Sequence, residues 1–117
     1  IAVEEGLENQ IKAAITELIK GPESRGKVSS IPQGTEILQV FWEEEAQTVF
    51  LDFNRAFISN HPGGSASEYF TISMILRTVG DNFPQVRNVQ FLVDGSPVET
   101  IAGHYAVDGP IDVHSWR

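Results

Sequence analysis

The sequence predicts an α+β fold in which two helices pack on one face of a small mixed β-sheet, in the order α-β-β-α-β followed by a C-terminal hairpin strand. Three observations carry this. Apolar residues recur at three- and four-residue intervals in two stretches, one near the start and one after Ser65. Runs rich in β-branched and aromatic residues follow each of them. The last run ends on Asp94-Gly95, a strong hairpin signal because both turn positions need positive φ.

The first helix is read from "GLENQIKAAITELIKGP", where Leu7, Ile11, Ala14, Ile15, Leu18 and Ile19 line one face. Glu4, Glu5 and Glu8 near its start and Lys20 at its end suit the helix dipole. Gly21 caps it and Pro22 stops it. A polar connector, "ESRGKVSSIPQG", leads to Thr35–Trp42 and Thr48–Phe53, which form an antiparallel hairpin around "EEEAQ". "NRAFISNHPGGSAS" is a loop. Ser65 and Glu68 have the Ser-x-x-Glu spacing of a capping box. Tyr69, Ile72, Ile75, Leu76 and Val79 supply the buried stripe of the second helix, which closes around Gly80 and Pro84. "NVQFLV" is a strand, and "VETI" is the short return strand of the last hairpin.

Strand, helix, strand from Val49 to Val93 should be a crossover that makes its two strands parallel. Alternation along each strand then sorts the faces. Leu38, Val40, Trp42, Val49, Leu51, Phe53, Val89, Phe91 and Val93 are expected to face the helices. Ile37, Phe41, Phe50 and Leu92 are expected to face away, a candidate interaction surface unless the C-terminal tail "AVDGPIDVHSWR", a missing segment or a partner covers it.

Composition narrows the function. At 117 residues the chain is one domain with room for a single core. Sixteen acidic residues against eight basic ones, a net charge of −8, disfavour nucleic acids and anionic lipid surfaces as partners. The absence of cysteine excludes disulfides, thiol catalysis and thiolate zinc sites. No apolar run approaches the roughly 20 residues that span a bilayer. A start at Ile1 suggests that any signal or anchor segment lies upstream.

No catalytic, cofactor or metal constellation emerges. His61, His104 and His114 all fall in predicted loops or tail and read as surface or structural residues. "HPGGSASE" is Gly-rich before a helix but lacks the Lys-Ser/Thr of a phosphate loop, so sharp turning before a cap explains it better. Asp52 has no second acid or base beside it in sequence, and a turn-forming or N–H-accepting role fits it best. Glu43, Glu44 and Glu45 read as a solvated hairpin tip that guards the sheet edge. No Gly-x-Ser-x-Gly elbow occurs.

Four stretches in order carry a family resemblance: "ELIKGP", "SSIPQGTEIL", "TVFLDFNRAF" with "GGSASE", and "FPQVRNVQFLVDGSPVETIAGH". Together they resemble the GerM (GerMN) domain of sporulation, germination and envelope lipoproteins. The resemblance implies one domain over residues 1–117, a fold like the ring-building motif, no known catalytic activity and no cofactor. It implies an extracytoplasmic location with a lipid or single-span tether, and a strand ahead of the first helix that is missing, trimmed or reduced here, since "IAVEE" is too short to show one. Partners are then other envelope proteins or further copies of the chain, with the membrane reached only through the tether. The alternative is a small-ligand-binding or hydrolytic domain using the 54–65 loop and His104, which requires His61 or His104 to approach Asp52. Ring-like oligomerisation is a third possibility.

Overall fold

A computed structural model of the chain describes residues 3–21 and 31–116. Pro22, read as the helix stop, most of the polar connector and the side chains of Glu4 and Glu5 lie outside what is described. Helix α1 (Val3–Lys20) buries Leu7, Ile11 and Ile15, with Ala14, Leu18 and Ile19 packed beside them. Gly21 ends it at φ 68°, a left-handed position where glycine carries no Cβ penalty. Its N–H donates to the Glu17 carbonyl at 3.3 Å.

Strands β1 (Ile37–Glu43) and β2 (Thr48–Phe53) form the expected antiparallel hairpin. Strand β3 (Asn88–Val93) pairs β2 in parallel, with Thr48 opposite Asn88 and Phe53 opposite Val93. Between them lie α2 (Ala56–Ser59) and α3 (Ser65–Asn82). Asp94 and Gly95 turn the chain at φ 50° and 83°, as the dipeptide predicts. The return strand β4 is Ser96–Pro97, earlier in the chain than "VETI". The tail adds β5 (Ile111–Asp112), so β4 and β5 share one edge of β3 and the order runs β1-β2-β3-β4 with β5 also on β3.

Three differences from the sequence reading matter. The segment 54–65 is not loop throughout. Its one-turn helix α2 sends Phe57 into the core, where the ring stacks on Phe53 at 4.2 Å between centroids and approaches Phe91 at 6.0 Å. Each such buried aromatic contributes on the order of 1.5–3 kcal/mol from burial.

Second, a β-bulge reverses the faces at the start of β1. Ile37 opposes Phe53 while Gln39 opposes Asp52, so Leu38 is the extra residue. Ile37 therefore joins Val40 in the core at 8% exposure, and Leu38 is turned out to 37%. The assignment of Ile37 to the outer face and of Leu38 to the inner face is corrected by that inserted residue.

Third, the capping box does not form. Gly64 occupies the N-cap with no side-chain cap bond, and the Glu68 carboxylate turns inward instead. Tyr69 also leaves the predicted stripe and is exposed, while Ile72, Ile75, Leu76 and Val79 are buried as expected.

Candidate interaction surface

Away from the helix-covered side, the register places Gln39, Phe41 and Glu43 of β1 beside Thr48, Phe50 and Asp52 of β2, and Asn88, Gln90 and Leu92 of β3 beyond them. Phe41 and Phe50 are direct cross-strand partners, the pairing in which two side chains on one face approach most closely. Phe41 is 44% exposed, while Phe50 and Leu92 are half-buried. Of the four predicted surface residues, three thus share the outer face and Ile37 does not. The tail does not cover Phe41. It extends the sheet at β5 and runs on to α3, where Trp116 stacks on Tyr69 with centroids 5.1 Å apart.

The buried polar members of this face are structural. Asp52 is buried, and its Oδ1 accepts the Gly95 N–H at 2.8 Å, pinning the Asp94-Gly95 turn. That is the N–H-accepting role its sequence context suggests. Buried Gln90 donates from Nε2 to the Phe91 carbonyl at 3.3 Å.

The groups required by a hydrolytic site have separate partners. His61 Nε2 meets the Thr71 hydroxyl at 3.0 Å, and its Nδ1 accepts the Gly63 N–H. Burial pushes the His61 ring below its ordinary range, an effect partly offset by the nearby Glu68 charge. His104 Nδ1 lies 3.0 Å from Glu68 Oε1, and the carboxylate acceptor fixes the proton on that nitrogen. Asn54 clamps the turn before β1 through Gly34 and Glu36, and Asn60 reaches the Gln33 carbonyl. The 54–65 loop is thereby occupied in holding its own neighbours. Among the described residues no three His, Asp or Glu side chains converge as metal ligands. The hollow on α1 lined by Asn9, Lys12, Ala13, Thr16 and Glu17 draws on one helix face and contains no acid–base pair in contact across it.

Glu68 is the residue that sequence reasoning misassigned. Fully buried, it accepts the Ile101 and Ala102 amides on Oε2 and both the His104 amide and ring on Oε1. Burial alone would push its carboxyl up. The amides of Ala102 and His104, the His104 ring and the Ile101 amide together outweigh burial and hold it below the usual carboxylate range. With both oxygens doubly engaged, it locks the 101–104 loop to α3 and leaves little acceptor capacity for proton transfer. A second exposed apolar group sits further along α3, where Phe70 is 59% and Met74 37% exposed. Their i, i+4 spacing outside the buried stripe was the signal for it.

A small mixed sheet with helices packed against it is an α+β arrangement consistent with the GerMN fold. The chain belongs to the Germane family, described as sporulation and spore germination, whose model matches residues 1–99. Its fold is similar to a Clostridium perfringens crystal structure described as that of a lipoprotein, with TM-score 0.79 and 22% identity over 92% of this chain and 69% of that one. It is also similar to the first GerMN domain of the Bacillus subtilis sporulation protein GerM, at TM-score 0.68 and 19% identity, covering 90% of this chain and 79% of that one. Against the tandem GerMN domains of the same protein the values are 0.67 and 17%, covering 86% of this chain and 37% of that one. None of the curated proteins matches. At these identities the structural likeness speaks for the fold.

Proposed function

We propose that the protein is a non-enzymatic protein–protein interaction module of the bacterial cell envelope, serving sporulation, germination or the assembly of an envelope complex. The single observation that carries this is the outer sheet face, where Phe41 stands 44% exposed against Phe50, opposite the helix-covered core. The family description and the likeness to a protein described as a lipoprotein support an extracytoplasmic place for the domain, with the full-length protein tethered by a lipid or a single span. The partner is another envelope protein or a further copy of the chain.

Phe41→Asp and Phe50→Asp test the reading in two stages. Circular dichroism and thermal melting should show a retained fold. A photo-crosslinking residue at Gln39, on the same face, should form adducts in the cell that disappear in the Phe41→Asp background. Unfolding of both variants would make these residues core and remove the surface. Adducts that persist unchanged would place the contact elsewhere.

A further inference from the structure

The charge around β1 indicates what docks on the outer face. Resting on the reading above, we infer that the occupant is a segment of a different protein, presenting apolar side chains flanked by lysine or arginine, and not a second copy of this chain. Glu36 precedes β1, Glu43 shares the outer face with Phe41, and Glu44 and Glu45 form the exposed hairpin tip. Glu8 reaches the edge of the same strand, where its Oε2 accepts the Trp42 N–H at 2.8 Å. Among the described residues, none of these five carboxylates forms an ion pair, whereas Arg55 is paired with Asp94 and Lys20 with Glu17. The apolar pair is thus flanked at the Glu43–Glu45 end by negative charge that no ion pair among the described residues offsets.

Two consequences follow from that geometry. Face-to-face pairing of identical copies would set glutamates against glutamates, at a cost of about 1 kcal/mol per close pair even in bulk water. Edge-to-edge pairing through β1 meets an outward amide already taken by Glu8, a common way of closing a sheet edge. What remains open is the β1 part of the face, where Gln39, Phe41 and Glu43 are exposed, and a cationic rim is the charge that complements it. The exposed group on α3 has no such bias, since exposed Arg77 and Asp81 follow Phe70 and Met74 along the helix.

Isotope-labelled 117-residue chain titrated with two synthetic peptides, one alternating leucine with lysine and one alternating leucine with glutamate, tests the inference by amide chemical shifts. The leucine–lysine peptide should move the amides of residues 39–45 and 48–52, and bind about tenfold more weakly at high salt than at low. The leucine–glutamate peptide should leave them in place. Phe41→Asp gives the decisive sign. It adds negative charge, so diffuse attraction would strengthen, whereas docking on the face weakens by about tenfold. A Glu43→Gln, Glu44→Gln, Glu45→Gln triple variant should weaken binding to a similar degree. If Phe41→Asp weakens binding and the triple variant does not, the face stands as a docking surface but the cationic partner is overturned. If neither variant matters, or both peptides bind alike with shifts scattered over α1 and α3, both ideas fall. A concentration-dependent dimer that moves the same amides without peptide would overturn the heterotypic partner.

Discussion

Glu68 ties two distant parts of the chain together, and its protonation is therefore linked to stability. Its carboxyl is held below the ordinary value of 4.5, so the folded state binds that proton more weakly than the unfolded chain. The stabilisation is complete above that ordinary value and is lost as pH falls through the lowered folded value. His61 acts in the same direction. Its ring is pushed below 6.5, so its contribution is present above 6.5 and declines as pH falls through its lowered value. Chemical denaturation should accordingly show the protein weakening on acidification. Glu68→Gln should cost about 2–4 kcal/mol at neutral pH, since charge-assisted bonds to buried amides are lost or weakened. The variant should also lose the acid-sensitive part of the curve that lies near and below the carboxylate range. An equal cost at neutral and strongly acidic pH would show that the carboxylate's charge is not what holds the loop.

At the scale of elements, the strands and long helices were legible because periodicity reports burial directly. Leu7, Ile11 and Ile15 recur as a helix face, and Asp94-Gly95 supplies the two positive φ angles of its turn. The outer-face placement of Phe41, Phe50 and Leu92 followed from the same alternation. Ile37 was misplaced because one inserted residue, Leu38, breaks the period of two, and nothing in "TEILQVFW" marks a bulge. Helix α2 was missed since four residues are too few to show a helical period. Glu68 was taken for a capping residue because its spacing from Ser65 fits, while its real partners lie more than thirty residues downstream. Such long-range contacts have no local signature.

These corrections make opposite predictions for neighbouring positions. Ile37→Asp would bury an unpaired charge and should destabilise by about 3 kcal/mol or more, whereas Leu38→Asp should change stability by less than about 0.5 kcal/mol. Equal losses in urea titrations would mean that the bulge is absent. Phe57→Ala should cost about 3–5 kcal/mol, because the ring fills the space between Phe53 and Phe91. A loss under about 1 kcal/mol would return that segment to a peripheral loop.

Across the whole molecule, a net charge of −8 and an aromatic pair on a sheet face flanked by acids at one end belong to one scheme. On the proposed reading the charge disfavours association of identical copies and suits a cationic partner, with exposed Phe41 beside half-buried Phe50 as the contact that excludes water. The helix side is devoted to packing, with α1 against β1 and α3. The second apolar group, Phe70 with Met74, gives an internal control because it is comparably exposed but lies on a helix.

The most direct measurement compares Phe41→Asp with Phe70→Asp in the cell, scoring adducts formed from a crosslinker at position 39 of the full-length protein. Loss of the adducts in the first variant and their retention in the second is expected. Retention in the first with loss in the second would contradict a sheet-face docking site and move the contact to α3.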